Sequence, residues 1–137
     1  MTAPDATTST PLGIALRGLV ALAVAMGIGR FAFTPQLPVM QADLGLSLAA
    51  GGWLAGANYL GYLVGALSAG RGGVSAAALM RWGLWAVVGS TVAMAMPGPL
   101  AWWLAMRFIA GVASAWVLVG TASVVLSRLA QLGGARY

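Results

Sequence analysis

The sequence contains no cysteine and no histidine. It also contains no lysine and no glutamate: all seven basic residues are arginine, and Asp5 and Asp43 are the two acids. These absences exclude a good deal of chemistry. Without cysteine there is no disulfide framework. Zinc, iron–sulfur and haem sites lack their usual ligands. Ser-His and Cys-His nucleophiles cannot be assembled within the chain. Two distant carboxylates make a poor acid–base pair. The sequence therefore predicts no metal, no cofactor and no enzyme.

Charge as a whole is scarce. Only 7% of the 137 residues are charged, whereas 61% are hydrophobic. A soluble domain carries about 25% charged residues, so this chain predicts a surface facing lipid over most of its length. The net charge of +5 comes from arginines scattered singly between apolar runs. That pattern does not predict nucleic-acid binding; it is the pattern of topology determination.

Four apolar spans are expected, all helical. Residues 1–11 (MTAPDATTSTP) are polar and aperiodic and predict a disordered cytoplasmic tail. The remainder, 12–137, is read as one transmembrane region. The spans run over about 14–37, 44–70, 76–96 and 100–126. Pro35 and Pro38 are expected to close the first, and Pro97-Gly98-Pro99 the third. The second span is free of charge over its whole length and long enough to cross a bilayer. Beta-barrel strands are a poor alternative, because the spans are too long and too uniformly apolar for alternating segments of about ten residues.

The arginines orient these helices. With the N-terminus inside, Arg17, Arg71, Arg81, Arg128 and Arg136 fall at cytoplasmic ends, and the outer loops keep only Asp43. The positive-inside rule selects this arrangement, with both termini cytoplasmic. Trp102 and Trp103 then read as outer interface anchors, Trp82 and Trp85 as inner ones.

Small residues recur at helical spacing: Ala57, Gly61, Gly65 and Ala69 on the second helix; Ala21, Ala25 and Gly29 on the first. Gly111 adds another on the fourth. Such ladders let helix backbones approach closely.

Arg30 and Arg107 stand inside spans. Each costs about 2.5–3.5 kcal/mol at a helix centre, and arginine does not shed its proton to escape that cost. Arg30 lies seven residues before Leu37, and Arg107 seven after Leu100. At 1.5 Å per residue both sit about 10 Å below the outer boundary. The sequence thus predicts a cavity in which the two guanidinium groups converge on one anion, such as a carboxylate. The Arg30 face carries Ala23, Met26, Gly27 and Thr34. The Arg107 face carries Trp103, Gly111, Ser114 and Thr121. Asn58 and Tyr62 share a face of the second helix and join the candidate cavity, with Tyr59 pointing elsewhere. No span carries Asp or Glu, so an intramembrane carboxylate relay is not expected.

Two stretches carry a family likeness: GIGRFAFTPQLPVMQADLGLS, Gly27 to Ser47, and AGGWLAGANYLGYLVGAL, Ala50 to Leu67. They resemble the N-terminal part of a major facilitator superfamily transporter of the YbfB/YjiJ-type branch. Arg107 followed by Gly111 in RFIAGVASA fits a motif of the superfamily's fourth helix. The resemblance implies that the first and fourth helices line a central cavity. The loop after the second helix departs from the superfamily pattern. Ala69 stands at the usual Asp position and Gly73 at the usual Arg position, so that loop's gating salt bridge is not expected here.

The resemblance implies the first third of a twelve-helix fold: one three-helix repeat and the first helix of the next. The expected function is secondary active transport of a small solute, an anion fitting the two arginines. The expected status is a fragment unable to transport alone, lacking its C-terminal helices. Two alternatives remain at this point. One is a self-sufficient four-helix protein working as a homo-oligomer, similar to small multidrug-type transporters, though those need a membrane-embedded Glu where this chain has Arg30. The other is a non-transporting membrane subunit docking through its small-residue faces.

Overall fold

The structure, a computed structural model, describes residues 10–71 and 73–134. The expected tail up to residue 9, with Asp5, lies outside the described residues, as do Gly72, Arg136 and Tyr137. Among the described residues every regular element is helical.

Helix α1, Pro11–Leu22, starts three residues ahead of the expected position. The Thr10 hydroxyl accepts from the Gly13 amide at 3.2 Å, and Pro11 takes an opening position where its missing N–H costs nothing. The helix then widens into a π segment, Ala23–Phe31, and resumes as α2, Phe33–Leu44. All three form one continuous rod, Pro11–Leu44.

The expected ending of the first span near Leu37 is therefore corrected. Pro35 and Pro38 lie inside the rod rather than at its end. Proline lacks a donor and crowds the carbonyl four residues back, which for Pro35 is that of Phe31. The π geometry just upstream absorbs this conflict, as π adjustments do at membrane prolines. Its i→i+5 pattern is seen where the Ala32 amide donates to the Gly27 carbonyl at 3.0 Å. The rod stops at Gly45, whose φ of 64° is left-handed, a conformation that glycine adopts without steric cost. Ser47 then caps α3, Leu48–Ala69, accepting from the Ala50 amide at 3.1 Å. The second helix consequently starts at Leu48 instead of Leu44.

Helix α4, Ala76–Met94, is capped by Ser75. Pro97-Gly98-Pro99 turns the chain as expected, and α5 runs from Leu100 to Gly134, beyond the expected end at Leu126. Among the described residues three helices are long and apolar enough to cross a membrane: Pro11–Leu44, Ala76–Met94 and Leu100–Gly133. Helix α3 is not among them.

Helix α5 is the hub. It packs most extensively against α3 and α4, and it also meets α1 and the π segment. Glycine makes the two main seams. A Cβ on Gly61 would collide with the Phe108 carbonyl, one on Gly65 would come within 2.5 Å of the Val112 carbonyl oxygen, and one on Gly111 would collide with the Asn58 carbonyl. Gly83 and Gly120 play the same part between α4 and α5. The expected ladder on α3 is thus shifted in register. Gly61 and Gly65 are buried, but Ala57 and Ala69 are only half-buried, and the contact line continues through Asn58 and Leu54. On the first rod Ala21, Ala25 and Gly29 all face the core. The core cluster is Ala21, Ala25, Val87, Ala113 and Val117, so close backbone approach, rather than large side chains, holds these helices together.

Candidate functional site

Arg107 projects from the first half of α5 into the bundle and is 5% exposed. Its Nη1 donates to the Gly29 carbonyl at 3.3 Å. Its guanidinium carbon lies 4.5 Å from the centre of the Phe33 ring, a cation–π distance. Its Nε is buried and has no hydrogen-bond partner among the described residues. The side chain lines a cavity of about 600 Å³ between the first rod, α4 and the start of α5. Phe33, Met40, Met94, Met96 and Trp103 form apolar walls, and Gln36 and Thr91 add neutral polar groups.

Each part of this wall has a local cause. The π segment exposes the Gly29 carbonyl to α5, and Gly29 has no side chain to block the approach; a Cβ there would lie 2.9 Å from Val87. The turn at Pro97 to Pro99 brings the start of α5 back against α4. Two indoles clamp it, with Trp102 Nε1 donating to the Ala93 carbonyl at 3.0 Å and Trp103 Nε1 to the Met96 carbonyl at 3.4 Å. These tryptophans fix the hairpin.

Arg107 reaches Gly29, next to Arg30, so the two arginines are level along the bundle. They do not share the cavity. Arg30 is half-buried and does not line it. Its guanidinium packs instead on Tyr62 and Tyr59, 4.7 Å and 5.1 Å from the ring centres. The expected Arg30 face is corrected accordingly. Ala23, Gly27 and Thr34 are exposed, while the buried face is Ala21, Ala25, Gly29 and Phe33. The small-residue ladder captured that side of the helix and turned Arg30 aside.

The remaining candidates separate in the same way. Asn58 is buried, but its Nδ2 donates to the Arg107 main-chain carbonyl at 2.9 Å, tying α3 to α5. Ser114 is buried and its hydroxyl donates to the Ala25 carbonyl at 3.1 Å, tying α5 to the π segment. Neither lines the cavity, nor do Thr34 and Tyr62. Tyr59, read as pointing elsewhere, flanks Arg30 with Tyr62. Phe33, Gln36 and Thr91 went unnoticed in the sequence because none is charged. The one available signal was Phe33 lying four residues after Gly29.

Asn58 gives a modest prediction. Interhelical side-chain hydrogen bonds in membranes average about 0.6 kcal/mol. Asn58→Leu is expected to lower unfolding stability by about that amount while leaving helix content unchanged, checked by SDS titration followed by circular dichroism.

No curated protein and no solved structure matches the chain. A family model described as uncharacterised MFS-type transporter YbfB matches residues 22–136. That match covers the π segment, the Arg107 cavity and the seams of α5 with α3 and α4. The chain therefore belongs to this family of MFS-type transporters.

Proposed function

We propose that the chain forms a solute-carrying unit of a secondary active transporter, and that its solute is a small organic monoanion held by Arg107. The observation that carries this reading is a buried guanidinium that faces a cavity with one nitrogen unpaired. A buried charge needs a partner. Asp43, the one acid among the described residues, does not line the cavity. A carboxylate in the cavity would supply the counter-charge to the guanidinium.

Shape and lining narrow the class. About 600 Å³ lies within the range of small-molecule sites. A single guanidinium favours one negative charge, and the methionine, phenylalanine and tryptophan walls favour an apolar body. The transmembrane reading has four crossings, α3 included, with Arg17, Arg71, Arg81 and Arg128 on the cytoplasmic side of a bacterial inner membrane and both termini cytoplasmic. The asymmetry of arginine placement supports it. Helix α3 tolerates its polar residues because Asn58 spends its donor on α5.

Calorimetric titration of the purified chain in detergent tests the solute class. Benzoate is expected to bind and neutral benzamide is not. Equal binding of the two would sink the anion reading. Uptake of radiolabelled benzoate into proteoliposomes then tests movement as distinct from binding.

A further inference from the structure

A second, larger cavity lies at the opposite end of the bundle. It measures about 1150 Å³ and opens between α1, α4 and α5. Its body is apolar, with Val20, Val24, Leu84, Val88, Val124 and Val125 among its walls. Three arginines line it, one from each helix: Arg17, Arg81 and Arg128. Gln131 joins them. Thr121 also lines it, is only 1% exposed, and has a buried hydroxyl oxygen with no hydrogen-bond partner.

The positive-inside rule explains why arginines gather at this end. It does not explain why three of them, from three helices, border one apolar groove. Nor does it explain an unpaired hydroxyl beneath them. Asp43 cannot balance them: it lies 26 residues along the first rod from Arg17, a separation of nearly 40 Å at helical rise. Three positive charges above an apolar slot are complementary to an anionic headgroup with a hydrocarbon tail. Basic pockets between membrane helices on the cytoplasmic side take phospholipid headgroups in this way.

We infer that the Arg17–Arg81–Arg128 cavity is a binding site for an anionic phospholipid. The phosphate sits among the guanidinium groups, and one acyl chain fills the valine-lined groove. Planar guanidinium donors suit phosphate oxygens. This site is separate from the Arg107 cavity and stands whether or not a monoanion binds there.

Native mass spectrometry of the purified chain with added lipid tests the inference. Cardiolipin and phosphatidylglycerol are expected to remain bound, and phosphatidylcholine to be lost. Substituting Arg17, Arg81 and Arg128 together by Gln should weaken cardiolipin binding at least tenfold. Arg71→Gln serves as the control, since Arg71 is basic, exposed and outside the cavity; it should leave binding within twofold. Single Gln variants, checked for helix content, replace the triple variant if that fails to fold, and each should weaken binding measurably. Equal loss with Arg71→Gln would overturn the inference in favour of diffuse attraction. Displacement of cardiolipin by millimolar inorganic phosphate would overturn it in favour of a free-anion site. Cross-linking of a Val88→Cys variant to a second copy, with no lipid retained, would show a protein segment as the occupant instead.

Discussion

Arg107→Ala is expected to weaken benzoate binding by about thirtyfold or more. Removing one partner of a buried, hydrogen-bonded charge pair costs about 2–5 kcal/mol, and each 1.4 kcal/mol is tenfold in affinity. Arg107→Lys should recover part of the loss, because it restores the charge but not the planar donor fork. Arg30→Ala is the informative comparison. Arg30 packs on Tyr59 and Tyr62 and does not line the cavity. Its removal should leave affinity within about twofold, the range of substitutions away from a site. Calorimetry on the three variants settles the matter. A loss with Arg30→Ala equal to that with Arg107→Ala would mean that both guanidinium groups hold the anion, and the one-arginine site would have to be abandoned.

Gly111→Val is expected to produce the largest loss of stability. A Cβ at Gly111 would collide with the Asn58 carbonyl and lie 2.8 Å from the Tyr62 amide nitrogen. Overpacking a core costs about 1–3 kcal/mol when side chains can give way. Here the obstacle is backbone, so α3 must lift off α5, and the bond from Asn58 to the Arg107 carbonyl breaks with it. The expected loss is at least about 3 kcal/mol, the upper end of that range, measured by SDS unfolding. Gly56→Val, on the exposed side of α3, is the control. Nothing lies within 4 Å of a Cβ at Gly56, so its effect should be several-fold smaller. Comparable losses at both positions would assign the effect to helix propensity rather than to the seam.

The helical class was legible in composition alone, and the turn at Pro97 to Pro99 was legible from its three residues. Gly61 and Gly65 were legible as packing residues from their spacing, and Gly111 from its place four residues after Arg107. The continuous first rod was not. Pro35 and Pro38 read as terminators because a π segment, the feature that absorbs them, has no pattern of its own in a sequence. Arg107 was found because a charge in an apolar span is costly wherever it points. Its separation from Arg30 was hidden for a geometric reason: depth follows from counting residues, but the direction around a helix depends on which face the packing claims. On the first rod Ala21, Ala25 and Gly29 claimed it. The neutral walls of the cavity carried no signal, since Phe33, Gln36 and Thr91 gain meaning only from what surrounds them.

The central place of α5 bears on how the protein is made. Synthesis delivers the N-terminal helices first, and α5 comes after all the helices it joins. Until then Gly61 and Gly65 have no backbone to lie against. The donor of Asn58 has no carbonyl from α5 to meet, and the Ala25 carbonyl awaits the hydroxyl of Ser114. The first rod and α4 can touch each other at the π segment, but α3 is left with almost nothing to hold. Assembly is therefore postponed to the arrival of one helix. A chain lacking α5 would leave the first rod, α3 and α4 with their inner faces bare.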